Sequence, residues 1–142
     1  MSYFGTGTKS GILTNLYNKI NAISGIKFVD WQRRYDSGIT PDRCPGCYIN
    51  DVREDKTKLL SNIVQNLFTV AVIAWVWAAQ GENLGSKLNA FIDSVKEAIM
   101  SDQSQSNNAY STIIQIVETD AGTRHPQGLG IIMLQIVYYS EK

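Results

Sequence analysis

The chain has 142 residues, 44% of them hydrophobic and 18% charged, enough to bury about 68% of the surface its unfolded form exposes. That composition excludes a disordered or fibrous chain. Thirteen Lys and Arg balance thirteen Asp and Glu, so no long-range field draws in nucleic acid, and free DNA is not the expected primary ligand.

The start, Met1-Ser2-Tyr3-Phe4-Gly5, lacks the basic, apolar and small-residue regions of a signal peptide, and synthesis in the cytoplasm is expected. From Gly11 to Ile23 the residues Ile12, Leu13, Leu16, Tyr17, Ile20 and Ile23 recur at three- and four-residue steps. This spacing predicts a helix with one apolar face, an N-cap at Thr8 or Ser10, and a stop at Gly25. Ile26 to Trp31 carries a short alternating pattern and predicts a strand. Asp36-Ser37-Gly38 and Pro41-Asp42 have turn chemistry, and the irregular stretch continues through Cys44-Pro45-Gly46-Cys47. Tyr48, Ile49 and Val52 then form a brief apolar segment, and Asp51 to Lys58 reads as charged and exposed.

Leu67 to Ala78 is rich in β-branched and aromatic residues and apolar on both period-two faces, which predicts a long strand. Phe68, Val70, Val72 and Val76 share one face, and Leu67, Ile73, Trp75 and Trp77 the other. The run ending at Ala79 is too short for a membrane-spanning helix of about 20 residues, so a soluble protein is expected. After a break at Gln80 to Asn83, the residues Leu84, Leu88, Phe91, Ile92, Val95 and Ile99 trace an amphipathic helix. Ser101 to Asn108 is a polar connector. Thr112 to Glu118 and Ile131 to Tyr139 predict two final strands, joined by a loop from Thr119 to Gly130. Strands joined by loops are expected to pair antiparallel. The predicted fold is therefore α+β, a single domain in which a mainly antiparallel β-sheet packs against two main α-helices. Two helices cover one face of such a sheet, and the remaining apolar residues of the long strand and of Ile131 to Tyr139 call for a partner subunit.

No motif specifies a reaction. Cys44 and Cys47 have C-x-x-C spacing, but no disulfide framework follows from two cysteines, and a zinc site needs four ligands where the chain adds only His125. No helix is predicted after Cys47 to lower a thiol pKa. Gly5 to Gly11 superficially resembles a phosphate-binding loop, yet Thr8 rather than Gly precedes Lys9 and no strand feeds it. His125 sits in a turn, Thr123 to Gly128, with no nucleophile elbow. The carboxylates form no helix-spaced pair on an apolar face. No catalytic residue, cofactor or metal is expected. The large aromatics Trp31, Trp75, Trp77, Tyr138 and Tyr139 are either core or interface anchors, and Ile73, Trp75, Trp77 and Tyr138 are the candidate oligomer interface.

The stretch Cys44-Pro45-Gly46-Cys47-Tyr48-Ile49-Asn50-Asp51 resembles the segment that precedes a charged linker in small tail terminator and tail-completion proteins of long-tailed bacteriophages. The strand Leu67 to Ala78, the helix Asn83 to Met100, Thr112 to Gly122 and Gly130 to Tyr139 are similar to that family as well. The resemblance implies an α+β subunit of a ring, commonly a hexamer, that caps the tail tube, ends its polymerisation and presents a surface to the head connector. It implies a place in the virion tail or neck and three sets of partners: other copies of the chain, the tail tube protein, and head connector or neck proteins. DNA would pass through the lumen without specific binding, and no membrane is involved. Loops at Tyr35 to Arg43, with Asp36, Asp42 and Arg43, at Ser101 to Asn108, and at Ala121 to Leu129, with Arg124 and His125, would meet the tube, the connector or the lumen. A head–tail joining protein or connector stopper is the nearest alternative. A small thiol- or metal-dependent enzyme using Cys44, Cys47 and His125 is the alternative from a different class.

Overall fold

Chain direction is first set at Thr8, whose extended backbone (φ −125°, ψ 145°) lets its hydroxyl accept the Gly11 N–H at 3.0 Å. This satisfies one of the four N–H groups that a helix leaves without an internal partner. Helix α1 (Lys9–Asn21) then buries Ile12, Leu16 and Ile20 along one stripe. Gly25, at φ +84°, turns the chain away in a left-handed conformation that side chains with a Cβ disfavour. The computed structural model describes residues 7–31, 40–60, 62–120 and 126–141.

Strand β1 (Phe28–Asp30) is followed by a single 3-10 turn at Pro41–Arg43, then by β2 (Gly46–Leu60) and β3 (Ile63–Trp77). Helix α2 (Leu84–Met100), capped by the Asn83 side chain on Ser86 N–H at 3.0 Å, leads to β4 (Ser111–Thr119) and β5 (Gln127–Glu141). The fold is α+β: two helices and a five-stranded, mostly antiparallel sheet in the order β1-β2-β3-β5-β4. Among the described residues no helix is long and apolar enough to cross a membrane.

Four expectations need correction. The segment Asp51 to Lys58 is not the charged linker that the resemblance implies: β2 runs through it, paired with β3 from Gly46↔Trp75 to Leu60↔Ile63, with irregularities between Asp51 and Arg53 and between Lys58 and Leu60. Its side chains are mostly solvated on both faces, so it lacks the apolar alternation by which a strand is recognised. β3 accordingly starts at Ile63, ahead of Leu67. β5 starts at Gln127, opposite Trp77, and its glycines are packing residues and not loop residues: a Cβ on Gly130 would stand 2.6 Å from the Ile92 side chain of α2. Finally, β1 pairs parallel to β2, Val29 facing Cys47. The long connection between them lets the chain return in the same direction, which a tight turn would forbid.

Both helices lie on one sheet face. Ile12, Leu16 and Ile20 of α1 and Leu84 to Ile99 of α2 pack on Cys47, Ile49, Phe68, Val70, Val72, Ala74, Val76, Ile132, Leu134 and Ile136. The helix-side stripe of β3 is thus the one read from its period-two pattern. The main core ends at one rim in polar chemistry. Asn66, fully buried, accepts from Lys56 Nζ at 2.7 Å and donates to Ser140 Oγ at 2.9 Å. Lys56 also pairs with Glu54 at 3.0 Å, and Glu54 accepts the Tyr138 hydroxyl.

Candidate functional site

Among the described residues no helix packs on the far face of the sheet. Its lower part holds a second, smaller cluster of Cys44, Tyr48, Ile73, Trp75 and Leu129, with Phe28, Trp77 and Ile131 at the margin. Gly46 allows it: a Cβ there would fall 1.9 Å from the Phe28 ring. Phe28 instead packs on Tyr48 at 5.0 Å between centroids, under the Arg43 guanidinium at 4.4 Å. The rest of the face stays open. Pairing places Ile131, Met133 and Val137 of β5 beside Ile113 and Ile116 of β4 on that side, and the last two are 54% and 45% exposed. Val117, on the edge strand, is also exposed. Isolated exposed apolar side chains are ordinary, whereas a contiguous stripe marks a contact surface.

The expected interface residues separate on this scaffold. Ile73 and Trp75 are 2% and 1% exposed, so the chain itself already covers them, while Trp77 is half-buried at the cluster's margin. Tyr138 does not share their face. It is opposite Asn66, belongs to the helix-side core and meets Phe68 edge-on with centroids 6.4 Å apart. On the open part of the face, Met133 and Val137 belong to the segment Ile131 to Tyr139 expected to need a partner, whereas Ile113 and Ile116 are not among the expected interface residues, because they join that face only once β4 pairs with β5. The sequence signal was the apolar run in both strands.

Among the loop residues, Asp42 and Arg43 occupy the 3-10 turn beside the smaller cluster. A hydrogen bond from Thr40, helped by a backbone N–H, holds the Asp42 carboxyl below its ordinary range. Asp36, Arg124 and His125 lie outside the described residues. The connector from Ser101 to Asn108 folds back onto its own chain. Asp102 accepts from Ser104 at 2.8 Å and from Ser106 N–H at 2.7 Å. Gln105, fully buried, accepts from Asn15 at 2.9 Å and donates to Thr112 at 3.0 Å. Three consecutive residues, Gln105, Ser106 and Asn107, hold positive φ of 49°, 58° and 67°, so the turn is strained where it docks.

The two cysteines do not make a common site. Cys47 points into the helix-side core and Cys44 into the opposite cluster, and both thiols are free. Burial pushes the Cys47 thiol far above its ordinary range, and burial also raises Cys44, opposed by the Arg43 charge. Such thiols are poor nucleophiles and poor metal ligands. Among the described residues no group of three or more His, Cys, Asp or Glu side chains is gathered as a metal site.

No protein-family model and no curated protein matches the chain. Among solved structures, a chain from the "Virion of native gene transfer agent (GTA) particle" is similar at a TM-score of 0.46 and 8% identity, over 88% of this chain and 92% of that chain.

Proposed function

We propose that the chain is a virion structural protein whose copies form a ring on the end of a phage tail tube, stopping its polymerisation and offering the surface for head attachment. The observation that carries this reading is the open sheet face, where Ile113 and Ile116 stand exposed beside the half-buried Met133 and Val137. A fold that buries Trp75 and Phe68 almost completely still leaves Ile113 and Ile116 in water on the open face, and a subunit contact removes them from it. The similarity of Cys44 to Asp51 and of the closing strands to tail terminator proteins supports the position in the tail.

In this reading the work is binding and self-assembly. The partners are other copies of the chain in a ring, commonly six, the tail tube protein, and head connector or neck proteins. A balanced charge suits a lumen through which DNA passes, since a basic lining would hold the phosphates. The tests are light scattering during size-exclusion chromatography, then negative-stain imaging of the protein with purified tail tubes. Rings, or a cap at one end of each tube, are expected. A monomer that ignores tubes overturns the reading, and binding to portal-containing heads instead of tubes reassigns the protein to the connector side of the neck.

A further inference from the structure

We infer that the two open edges of the sheet pair with each other between subunits: β4 of one copy adds to residues 52–60 of β2 in the next, carrying the sheet around the ring. This deepens the ring reading above and rests on it. The first ground is the state of the β4 edge. β4 ends the sheet and is exposed at Ile113 and from Gln115 to Thr119, with Ile113, Ile116 and Val117 at 54%, 45% and 39% and Glu118 its only charge. An irregularity in the pairing with β5 falls between Ile114 and Ile116, and beyond it the edge presents Ile116 and Val117 to solvent; an exposed apolar edge is a template to which another strand can add.

The second ground is the opposite edge. β1 covers β2 only from Gly46 to Tyr48, and among the described residues no strand lies beside residues 52–60, a stretch as long as β4. That stretch carries Arg53, Lys56 and Lys58 with Glu54 and Asp55, which blunts pairing with a second copy of itself and leaves β4 as the better complement.

Direction is the third ground. β2, β3, β5 and β4 alternate in sense, so β4 runs opposite to β2. A rotation about an axis along the strands preserves those senses, and the contact it creates is antiparallel and head-to-tail, the kind that closes rings. Within one copy Ser111 stands level with Asp55, through Val137 and Leu67. Seating β4 on residues 52–60 therefore staggers neighbouring copies along the strands, as closure of a sheet requires. That seating brings Glu118 toward Arg53. Both side chains lie on the open face, since Arg53 is opposite Thr69 and Glu118 opposite Ile131, and Arg53 is two-thirds exposed with Asp55 as its neighbour at 2.8 Å.

The experiment uses the full chain assembled on tail tubes. Arg53→Cys combined with Glu118→Cys is oxidised and run on a denaturing gel; a ladder rising to a covalent ring is expected, with no ladder from either single variant. The native thiols, being buried, stay silent. In parallel, Glu118→Lys is expected to raise the protein concentration needed for ring formation about tenfold, and Glu118→Lys with Arg53→Glu to restore it. Dimers from Glu118→Cys alone would show β4 pairing with itself and overturn the proposal. Rings that form as in the wild type, with no crosslink and no response to charge reversal, overturn the edge pairing while leaving the ring reading intact. A wild-type chain that stays monomeric with and without tubes overturns both.

Discussion

Glu54 shows how a single polar residue at the rim of an apolar core becomes a stability term. Partial burial alone would raise its carboxyl, but the Tyr138 hydroxyl and the Lys56 ammonium outweigh it and hold the group below the usual glutamate range. A depressed folded-state pKa stabilises the fold above the unfolded value, and that stabilisation is lost as pH falls through the folded value. The wild type is therefore expected to lose Tm more steeply than Glu54→Gln below about pH 4.3; parallel Tm profiles in thermal melts would refute this. The buried thiols give a second test at this scale. Cys44 and Cys47 are expected to resist a thiol-labelling reagent at pH 8 in the native state and to react fully in denaturant, and rapid native labelling of either would contradict their placement. Neither assignment was readable from the C-x-x-C spacing. Spacing fixes how far apart two side chains are along the chain, while the faces they enter depend on where β2 begins, and only Cys47 is inside it.

At the scale of elements, the helices were legible because a stripe at helical spacing and a capping side chain are local properties. Thr8 and Asn83 cap α1 and α2 as short polar residues ahead of an apolar run do. β3 was legible in its core half, where both faces are apolar, and illegible from Ile63 to Asn66, where one side of the ribbon is wet. β2 was hidden more completely, because an edge strand with solvated side chains owes its conformation to backbone pairing with β3 alone. The connector looked like low-complexity sequence, yet Gln105 and Asp102 make it a hydrogen-bonded turn. Its strain is measurable. A left-handed L-residue costs about 1–2 kcal/mol, against roughly 0.5–1 kcal/mol for the extra freedom glycine gives the unfolded chain. Ser106→Gly, at an exposed position with φ 58°, is therefore expected to stabilise the protein by about 0.5 kcal/mol in chemical denaturation. A clear loss of stability would show that the serine side chain holds the turn.

For the whole molecule, the decisive feature is that α1 and α2 both pack on one sheet face, and among the described residues no helix covers the other. Two classes of substitution should separate accordingly. Trp75→Ala removes a ring from the chain's own smaller cluster and is expected to lower the stability of the isolated subunit by about 3–5 kcal/mol. Ile113→Lys with Ile116→Lys alters the open face and is expected to leave subunit stability within about 0.5 kcal/mol per site while abolishing higher-mass species in light scattering. If the double lysine variant assembles as the wild type does, the open face is not the contact.

Local patterns along the chain are enough to set the class of fold and the inventory of its apolar surfaces. Helical spacing in Ile12 to Ile20 and Leu84 to Ile99, and two-sided apolarity in Leu67 to Ala78, are local patterns that follow from backbone periodicity. Which of those surfaces remain uncovered depends on strand order and helix placement. Trp75 and Ile73, conspicuous in the sequence, close on residues from Cys44 and Leu129. Ile113 and Ile116, unremarkable there, are left at the open edge because register and strand order bring distant segments together. Burial is a property of the assembled sheet: each strand presents two faces, and only pairing and helix placement determine which one meets water.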